Sequence, residues 1–133
     1  MTFVNDPIAD LVVRIKNAGA VKKDTVSVPY SKLKHAVAEA LLRAGFVSAV
    51  EKEGKGVKKR LNIKIAYTEK GQPKIEAFKR ISKPGRRMYR AVKEIYPVKY
   101  GRGLAVLSTP KGILSGEEAK KENVGGEILF EVF

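Results

Sequence analysis

Residues 60–81 read RLNIKIAYTEKGQPKIEAFKRI. Leu61, Ile63 and Ile65 alternate with Arg60, Asn62 and Lys64, the period-two pattern of a strand with one buried face. TEKGQPK at 68–74 then breaks the pattern with a glycine, a proline and three charged side chains. A β-favouring run resumes at 75–81. Of all the segments in the chain, 68–74 is the one that reads as a linker, so the boundary falls between residues 1–70 and 71–133.

On the amino-terminal side, Asp6-Pro7 opens a helix, with aspartate as N-cap and proline at the first helical position. Ile8, Leu11, Val12 and Ile15 give it one apolar stripe, and Gly19 is expected to stop it. Residues 25–28 are β-favouring. Ser31 caps a second helix whose buried face is expected to be Leu33, Val37, Leu41 and Leu42, ending at Gly45. A strand over 46–50 and a turn at GKG, 54–56, complete this half.

On the carboxy-terminal side, Lys83-Pro84-Gly85 is a turn and 104–107 a short buried strand. Ser115-Gly-Glu-Glu118 fits a capping box and predicts a short helix to about Lys121. Gly125-Gly126 is expected to break it, and Ile128, Phe130 and Val132 alternate in a closing strand. The expected architecture is α+β in two small lobes. The first is a two-helix, three-strand α/β lobe, and the second is β-rich with one short helix.

Charge is the strongest compositional signal. Lysine and arginine number 27 against 14 acidic residues, a formal net charge of +13 in 133 residues. The excess is shared by both halves, and it peaks in 79–102, where Glu94 is the one acid. Such a balance points to a polyanionic partner: RNA, DNA or an anionic membrane surface. Helix one carries few basic residues on its polar side, and much of the charge lies in strands and turns, so the membrane is the weaker option. There is no cysteine, no basic-apolar leader at the start and no run near the ~20 apolar residues of a membrane span. A soluble, cytoplasmic protein is expected.

Three blocks carry binding chemistry. SKPGRRMYR at 82–90 combines a tight turn with Lys83, Arg86 and Arg87, whose charges suit phosphate, and Tyr89, which can stack on a base or sugar. LSTPKG at 107–112 offers the hydroxyls of Ser108 and Thr109, then Pro110, Lys111 and Gly112, where backbone can approach a ligand closely. Gly125 and Gly126 can bring backbone N–H groups near a partner. Glu127 either accepts a hydrogen bond from a base or ribose hydroxyl or orients a neighbouring arginine. His35 reads as a surface or boundary histidine, and Asp6 and Asp10 are explained by capping and the helix dipole. One histidine, no cysteine and no carboxylate cluster argue against an enzyme, a metal site, a cofactor or a small-molecule substrate.

The blocks DPIADLVVRIKNA at 6–18, VPYSKLK at 28–34, RISKPGRRMY at 80–89, GLAVLSTPKGIL at 103–114 and VGGEILFEVF at 124–133 occur in order. Together they resemble the bacterial small-subunit ribosomal protein eight family from end to end. The resemblance implies a cytoplasmic, ribosome-bound, non-catalytic protein of two α/β lobes. Its partners would be the central domain of 16S ribosomal RNA and neighbouring small-subunit proteins, and, as in some bacteria, its own messenger RNA. It assigns RNA contact to Ser108, Thr109, Pro110, Lys111 and Gly112, to Gly125, Gly126 and Glu127, and to Tyr89. Lys32 and Lys34 fall in a further RNA-facing block. Where the family usually carries serine this chain has Pro110, which lacks a hydroxyl and a backbone N–H. The stretch 90–100 follows the family pattern only loosely.

Overall fold

The computed structural model describes residues 7–83, 85–96 and 103–133. Asp6, expected to cap the first helix, and Pro84 in the basic turn lie outside the described residues. Among the described residues the order is α1 (Pro7–Ala20), β1 (Thr25–Pro29), α2 (Lys32–Arg43), β2 (Val47–Glu53), β3 (Arg60–Ile65), β4 (Phe78–Arg80) and β5 (Tyr89–Arg90). β6 (Leu104–Thr109), β7 (Gly112–Ser115), α3 (Gly116–Lys121) and β8 (Gly126–Val132) follow. The mixed α+β architecture expected from the sequence is present, as two antiparallel sheets with three helices.

The first sheet has the order β1-β3-β2, and α1 and α2 pack on it. Ile8, Leu11, Val12 and Ile15 are buried as their spacing requires. Gly19 does not stop the helix, however, but lies within it. Lys22 ends it instead, at φ 60°, with Lys23 N–H on the Ala18 carbonyl at 2.9 Å and Lys22 N–H on Gly19 at 3.1 Å. That pair of bonds is a Schellman closure with lysine at the left-handed position. Gly19 is needed for another reason, because a Cβ there would come within 2.8 Å of Pro73. The stretch 68–74 therefore folds back onto α1, closed by a Tyr67–Pro73 bridge and by Lys22 Nζ donating to the Gly71 carbonyl.

Helix α2 ends at Gly45, φ 83°, as expected. Its buried face is Val37, Ala38, Ala40 and Leu41, whereas Leu33 remains 40% exposed. Leu33 sits in the first turn, ahead of the buried stripe that begins at Val37. The following strand begins and ends later than expected, at Val47–Glu53.

In the second sheet the path is β4-β8-β6-β7, and β5 also pairs with β8. The run 75–81 yields only the three residues Phe78–Arg80 as strand, because Glu76 and Ala77 both donate to the one Phe133 carbonyl, at 2.9 and 2.8 Å. The stretch 108–112 is not an open loop but the tip of a hairpin. β6 runs to Thr109 and β7 starts at Gly112, leaving Pro110 and Lys111 as the turn. Between β6 and β8 the register steps from Val106↔Phe130 to Leu107↔Ile128, so β8 carries one extra residue, Leu129. The α3 capping box forms, Ser115 Oγ accepting from Glu118 N–H at 3.2 Å and Glu118 Oε1 from Ser115 N–H at 3.0 Å. Asn123, φ 56°, ends α3 before the glycine pair is reached.

The two sheets share packing. Leu11, Val37, Leu41 and Ile63 belong to the same buried cluster as Val106, Phe130 and Val132, while Ile95, Leu107, Ala119 and Ile128 form a second one beneath α3. A polar clamp reinforces the contact. Arg43, the last residue of α2, donates Nε to Glu118 at 2.8 Å and Nη2 to Glu118 at 3.1 Å and to the Ile113 carbonyl at 3.1 Å. Partial burial works to raise the Glu118 pKa, but the hydrogen bonds from Arg43 and from the Ser115 backbone outweigh it. The carboxyl is held below its ordinary value.

Candidate nucleic-acid interface

The candidate residues of the carboxy-terminal half converge at one end of the second sheet. Glu127, near the start of β8, lies between Ser108 on β6 and Tyr89 on β5. Residues opposite one another on paired strands share a face, so Ser108, Glu127 and Tyr89 form a single row. Arg87, two residues before Tyr89, reaches the same face and donates Nη1 to Glu127 Oε2 at 3.1 Å. Of the two roles open to Glu127, orienting an arginine is the one this arrangement displays. Tyr89 is 69% exposed and presents its ring outward.

The basic turn ahead of Tyr89 is built on a buried hydroxyl. Ser82 is fully buried, and its Oγ accepts from Met88 N–H at 2.8 Å and donates to the Met88 carbonyl at 3.2 Å. Lys83 and Arg86 exchange backbone hydrogen bonds of 2.8 and 2.9 Å across the turn. Lys83, Arg86 and Arg87 are therefore exposed beside the bridge that joins the Lys83 and Arg86 backbones. In the sequence Ser82 carries only a weak signal, because serine is common in turns.

At the hairpin tip, Thr109 Oγ1 donates to the Gly112 carbonyl at 2.8 Å and accepts from Lys111 N–H at 3.2 Å. Its proton is thus committed to shaping the turn, and one lone pair stays available. Pro110 fixes φ near −65°, which excludes the primed turns usual in tight hairpins, and Gly112 at φ 113° provides the positive dihedral that closes the reversal. Lys111 Nζ reaches Glu122 at 3.2 Å, an exposed pair that a stronger anion can displace.

The glycine pair serves the protein's own strands. A Cβ on Gly126 would overlap the Ser108 carbonyl oxygen, and one on Gly125 would overlap the Arg90 carbonyl. These two residues allow β8 to draw β5 and β6 together, and the row exists because they are bare. Lys32 and Lys34 do not join the group. They stand in the first turn of α2, where Lys34 Nζ lies 3.4 Å from the Pro29 carbonyl. Arg43, which touches the second half, is about 16 Å farther along the helix axis.

His35 sits between the Tyr30 hydroxyl at 3.3 Å and Glu39 at 3.1 Å, the satisfied boundary position expected of it. Asp10 pairs with Arg14 at 3.2 Å. Among the described residues no three His, Cys, Asp or Glu side chains are grouped to hold a metal ion. No described helix is long and apolar enough to cross a membrane.

The family described as Ribosomal protein S8 matches residues 6–133. The small ribosomal subunit protein uS8 of Novosphingobium aromaticivorans is 45% identical over 130 residues, covering 98% of each chain. The protein of the same name from Mycoplasmopsis agalactiae is 45% identical over 127 residues, covering 96% of each. That from Crocosphaera subtropica is 44% identical over 130 residues, covering 97% of this chain and 98% of the relative. Similarity that extends over the hairpin tip, the basic turn and the glycine pair alike makes this chain a member of the ribosomal protein S8 family.

Proposed function

We propose that this chain is a structural constituent of the small ribosomal subunit and binds ribosomal RNA without catalysing a reaction. Its target is an irregular helix in the central domain of the small-subunit RNA, and its working location is the cytoplasmic ribosome. The observation that carries this is the convergence of Ser108, Glu127, Tyr89 and Arg87 in one row, beside the exposed Lys83 and Arg86. Family membership and the net charge of +13 support it.

Lysines and arginines would neutralise phosphates and carry the salt-sensitive part of the affinity. The row would supply discrimination. Ser108 can donate and accept, Tyr89 can stack, and Glu127 can take a hydrogen bond once a phosphate competes for Arg87. A regular A-form duplex hides its base edges, so specificity requires a site where the helix is distorted. Residues 71–133 act as the recognition lobe, with 1–70 buttressing it and offering Lys32 and Lys34 as outlying phosphate contacts. Gly125 and Gly126 contribute by holding the row together, and Pro110, Lys111 and Gly112 by fixing the tip. Neighbouring small-subunit proteins are further partners. A messenger segment that copies the target's shape would bind the same row and allow translational autorepression.

Filter binding with a central-domain transcript and a perfect duplex of equal length tests this. The transcript should bind more tightly. Thr109→Ala should weaken that binding by loosening the tip, and Arg86→Ala should reduce the salt slope by about 1 without changing the preference. Equal affinity for the two RNAs would sink the proposal.

A further inference from the structure

We propose that Arg90 and Tyr96 form a stacking platform for an unpaired RNA base, separate from the row of Ser108, Glu127 and Tyr89. It rests on the RNA-binding role proposed above. The Arg90 guanidinium lies 4.2 Å from the centroid of the Tyr96 ring, the geometry of a cation–π stack.

Both members are held from behind. Arg90 is fixed in β5 by its pairing with Gly126, and bare Gly125 lets β8 come up against its backbone. Tyr96 follows the buried Ile95, which packs against Gly116. Between them the short 3₁₀ turn Val92–Glu94 is closed by the Glu94 carboxylate, which accepts from Ala91 N–H at 3.1 Å. The stack is therefore set before any ligand arrives, which lowers the ordering cost of binding.

Tyr96 nevertheless remains 53% exposed. A ring kept for the core would be covered, and an exposed cation–π pair does little for stability by itself. Preorganised, wet on one side and flanked by a cation, the ring has the properties of a base-stacking surface, which accepts any base because every base has a π-face. Neighbouring residues on a strand point to opposite faces, so Arg90 and Tyr96 address a different nucleotide from the one Tyr89 reaches. The guanidinium supplies a planar donor for the phosphate that follows the stacked base.

The chain has no tryptophan, so Tyr96→Trp creates a single indole reporter. Titration with a central-domain transcript of small-subunit RNA should quench its fluorescence as the base stacks. Tyr96→Ala should bind that transcript about ten-fold more weakly, and Tyr96→Phe should match the parent, since the ring makes the contact. Arg90→Lys should keep the salt slope and still lose affinity, because it retains charge without the planar stack. An indole left unquenched in a fully formed complex overturns the platform, as does Tyr96→Ala binding within about two-fold of the parent. Urea unfolding checks that Tyr96→Ala still folds, and if it does not, quenching alone decides. Should the parent fail to prefer the transcript over a perfect duplex, the RNA-binding role itself falls. Should the parent prefer it while every Tyr96 variant stays silent, only the platform falls.

Discussion

A single methyl group at Gly126 would collide with the carbonyl oxygen of Ser108 on the adjacent strand. The obstacle is backbone, which cannot rotate away as a flexible side chain would. Gly126→Ala should therefore destabilise the protein by about 1–3 kcal/mol in urea unfolding, the usual range for overpacking. The same variant should lose RNA affinity beyond what its stability loss explains, because β6 would move off the row. Ser82 is the complementary case. Its hydroxyl closes the loop from Ser82 to Met88 with two bonds to one residue, so a buried polar group sets where three exposed cations point. Glycine and serine are the least distinctive letters in a sequence, yet here they govern where the candidate arginines and tyrosine stand.

At the scale of elements, α1, α2 and α3 are each followed by a left-handed residue, Lys22, Gly45 and Asn123 in turn. Only Gly45 was legible beforehand, since lysine and asparagine carry no comparable mark, and the sequence instead drew attention to Gly19 and Gly125-Gly126. Those glycines answer to neighbouring chain segments, a long-range cause that local pattern does not contain. The α3 start was legible because a capping box is entirely local. Ser115→Ala should cost about 1 kcal/mol of stability, measured by thermal or urea unfolding, with Glu118 losing the partner that also steadies it against Arg43. Strand β7 was missed because Gly112–Ser115 is too short for alternation to register. Leu33 has the right spacing for the stripe, yet in the first turn of α2 it stays exposed, a difference that spacing alone does not reveal.

Across the whole molecule, the two sheets hold together through a common apolar cluster and through the Arg43–Glu118 clamp. The clamp makes that union sensitive to acid. Glu118 has a folded-state pKa below its ordinary value of 4.5, so its stabilising contribution is complete above that value. It is lost as pH falls through the depressed folded-state value, because protonation removes the charge that Arg43 holds. Urea unfolding followed downward from pH 6 should show the parent losing stability more steeply than Glu118→Gln in this acid window. At neutral pH the variant should be the weaker of the two, and the gap should close as the pH falls. The carboxy-terminal members of the candidate group were legible as blocks of sequence, because each block is contiguous. Their meeting was not, since it depends on β8 pairing with β5 and β6 together, across gaps of some forty and twenty residues.

The extra residue in β8 gives that meeting an unexpected kind of encoding. Had the ladder continued evenly from Val106↔Phe130, Ser108 would stand opposite Ile128, and a sec-butyl group would occupy the place of the carboxylate. Glu127 reaches the row because the ladder passes over one residue of β8 between Phe130 and Ile128. Part of the candidate site is thus written in a count rather than in a letter. Point substitution can never change that count, so a scan of single replacements along 127–130 would leave it invisible. Inserting one residue between Ile128 and Phe130, with the single bulge kept, would bring Ile128 opposite Ser108 and exchange polar for apolar in the row, whereas deleting Leu129 would leave Glu127 there.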